Sequence, residues 1–275
     1  MKKNLVVFVG LSGGVDSAVS VTLLKKEGHE VIGLDDLSTG TAAAVEALAS
    51  PRFRFTQGDV ATWPFNNWTQ ATPERILHLA CPASPPAYMK NPIKTLDTAI
   101  QGTRNVLEFA AQIDARVLVT STSEIYGDPA VHPQPETYWG NVNPVGPRAC
   151  YDEGKRAAET YCHAYWYMCG LDVRVARIFN TFGPGMNPDD GRVVTNFITQ
   201  ALSGHPLTIY GDGSQTRSLC YIDDMVEGLL RLLDFDYKTL APDGDVPCPR
   251  VMNLGCPYEI TVHDLAKLVI EMTDS

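Results

Sequence analysis

Short apolar runs separated by helix-length stretches constrain this chain more than any other feature. Leu5 to Val9, Val31 to Leu34, Phe53 to Phe55, Ile76 to Ala80, Arg116 to Thr120 and Val173 to Ile178 each read as a buried strand. Helical spacing occupies Val15 to Glu27, Pro92 to Ile113 and the stretch that carries Tyr151 and Lys155, with Pro92 suited to a first turn. Strands that are apolar throughout are covered on both faces, and strands that alternate with helices return in parallel. The order predicts an α/β chain built on a parallel sheet.

The first unit is strand, glycine loop, helix and second strand, closed by Asp35. That is the plan of a dinucleotide-binding half, in which the closing acid takes the adenosine ribose hydroxyls. An acid there repels a 2′-phosphate and so favours NAD over NADP. Past Asn180 the texture changes to short elements with Gly and Pro punctuation. Helices are expected at Val193 to Leu202 and Ile222 to Leu233, a short strand at Leu207 to Tyr210, and a polar connection from Asp234 to Arg250. The expected organisation is a Rossmann-like, doubly wound domain over residues 1–179 and a smaller substrate-binding lobe over residues 180–275.

A formal charge of −10 argues against nucleic acid as a partner, because phosphate binding needs a basic footprint. Anionic small molecules remain open if cations converge locally. Seven cysteines without C-x-x-C spacing suit a reducing compartment and support no metal site. No apolar run reaches membrane-spanning length. The opening M-K-K-N-L-V-V-F-V-G-L runs into S-G-G-V-D-S rather than a cleavage site, so it reads as a first strand and the protein as cytoplasmic.

The chemistry concentrates between Thr120 and Lys155. A strand end spills hydroxyl-bearing residues onto a loop, T-S-T-S-E-I-Y-G-D, and the next helix opens R-A-C-Y-D-E-G-K. Tyr151 and Lys155, at i and i+4, stand on one helical face. An ammonium one turn from a phenol favours the phenolate, and a strand-end hydroxyl would bind the substrate oxygen whose proton moves. His78 and Cys81 flank a buried strand end and read as packing.

This constellation resembles the extended short-chain dehydrogenase/reductase family. More narrowly, Y-W-G-N-V-N-P-V-G-P-R-A-C-Y-D-E-G-K-R-A-A-E-T with V-R-V-A-R-I-F-N-T-F-G-P is similar to the UDP-glucuronate decarboxylase family, over about residues 28–275. The resemblance implies NAD-dependent conversion of UDP-glucuronate to UDP-xylose through a 4-keto intermediate. It implies Thr122, Ser123 and Glu124 at the sugar, Tyr151 as proton relay, and Lys155 tuning Tyr151 and holding the nicotinamide ribose. It places Asp59 and Val60 at the adenine, with Leu79 and Ala80 also in the cofactor set, and Tyr88, Asn180, Arg192, Tyr210 and Arg217 at the UDP-sugar. Homodimerisation is implied through the long helices near residues 92–113 and 148–169, where Tyr161, Tyr165 and Trp166 would be core or dimer face. Ala99 stands where the family usually has Asn, and family members continue past the equivalent of Ser275.

The phosphate loop departs from that family's T-G-x-x-G-x-x-G. Of Gly10 to Ser17 only Gly14 coincides, with Gly13 beside it as a second cofactor contact; Leu11 and Ser17 replace the outer glycines. Residues 5–31 instead resemble the PP-loop of ATP pyrophosphatases, such as tRNA-thiolating enzymes. A PP-loop ATP-binding protein, another sugar-nucleotide epimerase or dehydratase, and a non-catalytic sugar-nucleotide binder are therefore the competing readings. Leu11 is expected in a turn position where its Cβ is costly.

Overall fold

The computed structural model describes residues 5–11, 15–68, 71–237 and 250–275. Its centre is a seven-stranded sheet of β1 (Val6–Gly10), β2 (Glu30–Asp35), β3 (Phe53–Gln57), β4 (Arg75–His78), β5 (Arg116–Thr122), β6 (Val173–Ile178) and β10 (Arg250–Leu254). The spatial order is β10-β6-β5-β4-β1-β2-β3, and every pairing is parallel. The order reverses between β1 and β4, which opens a crevice at their carboxyl ends. Gly10 sits at that edge. A Cβ on it would lie 3.3 Å from His78 Nδ1 and 3.4 Å from Ala80 Cβ, so the two strand ends are closely apposed.

Helices bury their apolar stripes on both faces of the sheet. On one face α1 (Val15–Lys26) packs Val21 and Leu24 against β1 and β2, and α8 (Ile222–Asp234) packs Met225, Val226, Leu229 and Leu233 against β5 and β6. On the other, α5 (Thr103–Ile113) and α6 (Ala149–Cys169) pack Val106, Leu107, Ala110 and Cys162 over Phe8, Val117 and Val173. Beyond residue 180, α7 (Val193–Leu202) packs on α9 (Val262–Thr273) around Phe197, Leu265 and Val269. Small pairings β7 (Thr181–Phe182) with β9 (Cys220–Tyr221), and β8 (Thr216–Ser218) with β11 (Glu259–Thr261), complete that side.

Two sequence expectations are corrected here. Leu207 to Tyr210 forms no strand. Gln200 Oε1 accepts from Thr208 N at 3.0 Å and Gln215 Nε2 donates to Tyr210 O at 2.8 Å, so side chains rather than a neighbouring strand satisfy its backbone. The stretch Pro92 to Ile113 is helical throughout but not uniformly α. It runs as α4 (Pro92–Asp97), a π-helical turn (Thr98–Gly102) and α5. The wide turn falls where the helix touches two other segments. A Cβ on Gly102 would sit 2.7 Å from Val60 Cγ1, and one on Gly154 would sit 3.0 Å from Ala99 Cβ.

Candidate active site

The end of β5 supplies three buried hydroxyls, Thr120, Ser121 and Thr122. Thr122 then caps the short helical turn Ser123–Tyr126, its Oγ1 accepting from Glu124 N at 3.2 Å. Gly127, at φ 65°, ends the turn in a conformation that favours glycine. Across from it α6 brings Tyr151 and Lys155, both buried. Lys155 Nζ donates to Thr120 O at 2.8 Å, and Thr120 Oγ1 donates to His78 O at 3.1 Å, which ties helix, β5 and β4 together. The hydroxyls of Thr122 and Tyr151 face the same cavity.

Above this pair lies Tyr88, from the short helix α3 (Pro85–Lys90). Its ring stacks on Tyr151 with centroids 4.8 Å apart and planes at 3°. Arg148, just before α6, donates from Nε to Tyr88 Oη at 2.6 Å and pairs through Nη2 with Glu124 Oε2 at 3.0 Å. These groups, with Leu79, Cys81, Asn180 and Arg192, line one cavity of about 130 Å³. A larger groove, about 1080 Å³ between α1, α8 and α2 (Ala42–Ala47), contains none of them.

Burial governs the electrostatics. It pushes the Tyr151 phenol far above its ordinary value, and the neighbouring Cys81 adds to the rise while the Thr122 hydroxyl opposes it. The expectation that Lys155 would favour the phenolate is therefore corrected. Its ammonium is turned to the Thr120 carbonyl and lies 5.9 Å from the Tyr151 ring centroid, so desolvation dominates. Tyr151 is a neutral hydroxyl here, a proton donor at rest. Asp152 is pushed up to about 6 by burial and by Glu124, against the pull of Arg148. His78 is pushed down to about 3 by burial and Lys155, so its ring is neutral.

The sequence model of the NAD dependent epimerase/dehydratase family matches residues 6–255. The chain belongs to that family. It is similar to UDP-glucuronic acid decarboxylase 6 of Arabidopsis thaliana, with 48% identity over 97% of this chain and 74% of the relative. UDP-glucuronic acid decarboxylase 1 of Xenopus tropicalis shares 48% identity over 99% of the chain and 61% of its own length. Among solved structures, the UDP-glucose 4-epimerase of Thermotoga maritima with UDP-glucose superposes with a TM-score of 0.84 at 26% identity, covering 98% of this chain and 83% of that one. The UDP-glucuronic acid 4-epimerase of Bacillus cereus, in complex with UDP-glucuronic acid and NAD, shares the fold at 23% identity and a TM-score of 0.82, over 98% and 84% of the two chains.

Within this epimerase/dehydratase chain, Thr122, Ser123, Glu124, Tyr151, Lys155, Leu79, Tyr88, Asn180 and Arg192 converge on the one cavity. Asp35, Asp59, Val60 and Ala80 border a second, narrow hollow of about 20 Å³, together with Leu11 and Asp36. Asp35 is buried, and its Oδ1 accepts from Leu37 N at 2.8 Å. Lys94 pairs with both Asp36 and Asp59 across that hollow. Tyr210 and Arg217 are exposed and line neither space. Gly13 and Gly14 lie outside the described residues. Leu11 corrects another expectation. It has no positive φ, is 5% exposed, and prolongs the first strand by donating from N to Leu34 O at 2.8 Å.

Sequence reasoning passed over Arg148 and Asp152. A signal for Arg148 was present in the epimerase/dehydratase helix itself, since it stands three residues before Tyr151 and shares its face.

Proposed function

We propose that the chain is an NAD-dependent UDP-glucuronate decarboxylase that forms UDP-xylose through a 4-keto intermediate. The carrying observation is the convergence of the buried Thr122, Tyr151 and Lys155 on the same cavity as Glu124 and Arg148. Similarity at 48% identity to named UDP-glucuronic acid decarboxylases supports the choice of reaction.

The residues fit NAD. Asp35 offers a buried carboxylate at the end of β2 for a ribose diol, and Ser121 Oγ is a buried polar atom with no partner among the described residues, in the wall of the cavity. Tyr151 and Lys155 would border the nicotinamide end. Bound NAD supplies a reversible two-electron oxidation at the sugar C4. The chain does the rest. The proton step needs Tyr151 as the phenolate: it would take the C4 hydroxyl proton beside Thr122, become the neutral phenol and later return that proton, while Lys155 fixes the β5 end against α6. The resulting β-keto acid loses carbon dioxide, and its bonding electrons pass into an enolate whose oxygen is the one these two hydroxyls hold. With Tyr151 neutral, the site is set to donate a hydrogen bond to that oxygen.

The long helices α4–α5 and α6 would carry a homodimer contact, supported by Tyr167 and Met168, which are 73% and 78% exposed on α6. A cytoplasmic location rests on the sequence reading alone; no helix among the described residues is long and apolar enough to cross a membrane.

Incubation with UDP-glucuronate and NAD is the direct test. Carbon dioxide and UDP-xylose are the expected products, with some UDP-4-keto-pentose. An epimerised uronate without carbon dioxide would move the chain to the epimerase branch. Bound ATP-derived nucleotide in place of NAD, read by mass spectrometry of the purified protein, would favour the PP-loop reading.

A further inference from the structure

We infer that Arg148 selects the uronate carboxylate, exchanging Glu124 for the substrate as its ion partner. The inference rests on the UDP-glucuronate reading above. With the C4 oxygen at Thr122 and Tyr151, the carboxylate carbon is only two bonds from C4, so its partner must stand next to Tyr151.

Three cations line the cavity. Lys155 donates to the Thr120 carbonyl at its floor. Arg192 is paired with Asp190 at the entrance to α7. Arg148 reaches the reacting tyrosine through the Tyr88 ring stacked on it. A guanidinium presents five donors in a rigid fork. In Arg148, Nε is anchored by Tyr88 Oη at 2.6 Å and Nη2 faces Glu124 Oε2 at 3.0 Å. Glu124 lies two residues past Thr122, on the turn that Thr122 itself caps. The guanidinium can therefore keep its Nε anchor and pass its Nη edge from Glu124 to an incoming carboxylate.

This arrangement discriminates by what a neutral sugar cannot do. A hexose with a C6 hydroxyl offers no charge to displace Glu124, so Arg148 stays paired and contributes nothing to binding. A uronate makes the exchange and gains a charge-assisted, bidentate contact.

Calorimetry with UDP-glucuronate and with UDP-glucose, on the full chain and its variants, decides the matter. Wild type should bind UDP-glucuronate about tenfold or more tighter than UDP-glucose, the scale of a hydrogen bond to a charged group. Arg148→Gln should abolish that preference while leaving UDP-glucose affinity within about threefold. Arg148→Lys, which keeps the charge but not the fork, should retain only part of it. Glu124→Gln removes the competing acid and should widen the preference by about tenfold. An unchanged ratio in Arg148→Gln overturns the inference, and so does an equal loss of both ligands, which would mark a scaffold role. A preference that narrows in Glu124→Gln overturns it independently. Failure of the decarboxylase reading appears elsewhere, as absent carbon dioxide release from wild type.

Discussion

Tyr151 and Asp152 are neighbours on one helix turn, and burial favours the neutral form of each. For Tyr151 it preserves the neutral hydroxyl, 5% exposed beside Thr122. Tyr151→Phe keeps the stacking surface for Tyr88 and removes only the hydroxyl. Turnover should fall by about two to four orders of magnitude with UDP-glucuronate affinity little changed, as initial rates and calorimetry would show. Near-wild-type turnover would remove Tyr151 from the proton path.

For Asp152 burial is a cost. Its Oδ1 has no hydrogen-bond partner among the described residues, and its folded value of about 6 stands above the ordinary 3.8. The folded state therefore holds more protons than the unfolded one between about pH 4 and 6, and stability from this group falls as pH rises through that window. His78, pushed down from 6.5 to about 3, works the other way and loses stability as pH falls below about 6.5. The wild-type curve mixes the two, so the difference between wild type and Asp152→Asn isolates the acid. Urea unfolding should show the variant more stable at pH 7 by at most about 3 kcal/mol, with the gap closing toward pH 4. A gap independent of pH would show that Asp152 has a charge partner.

At the scale of elements, the turn carrying Glu124 is held by the loop that follows it. Asn141 N donates to Tyr126 O at 2.8 Å, and Asp128 N donates to Asn141 O at 3.0 Å. Arg177 of β6 pins the same region, meeting both carboxylate oxygens of Glu159, Tyr126 Oη at 2.9 Å and Glu136 O at 2.9 Å. Gly140 is the tight point, with φ 87° and room for no Cβ, which would sit 2.5 Å from Ile125 O. Gly185 has a similar φ of 82° but open space around it. Alanine at Gly185 should cost about 1–3 kcal/mol from backbone strain alone. Alanine at Gly140 should cost clearly more and also lower turnover, because the overlap pushes on the Glu124 turn. Equal urea midpoints for the two variants would mean that the loop yields freely.

Much of this was readable locally. The strands from β1 to β6 were visible because buried parallel strands are short, continuous and apolar. Leu207 to Tyr210 had the same texture and misled, because a strand needs a neighbour and Gln200 and Gln215 took that place. The π-helical turn at Thr98–Gly102 was invisible, since what surrounds it comes from Val60 and Gly154, far away in the chain.

On the scale of the whole molecule, the crevice between β1 and β4 gathers the site, and Leu11 stands at its mouth. Motif comparison alone makes Leu11 a damaged glycine. The fold makes it a core residue, packed with Val9, Val31 and Leu79. Exchanging Gly10, Leu11, Asp16 and Ser17 for the family's Thr, Gly, Leu and Gly would therefore delete a buried side chain and press a Cβ toward His78. Leu11→Ala alone should lower unfolding stability by about 2–5 kcal/mol. A loss below about 1 kcal/mol would place Leu11 at the surface, where a glycine loop could replace it without harm.

By itself the sequence determined the α/β order, the parallel sheet and the shared face of Tyr151 and Lys155, because apolar periodicity and i, i+4 spacing are properties of neighbouring residues. Only the tertiary structure decided the charge state of Tyr151 and the partners of Arg148. Desolvation depends on everything that surrounds a group. The contact that anchors Arg148 joins residues 60 positions apart, a distance over which no local pattern carries information.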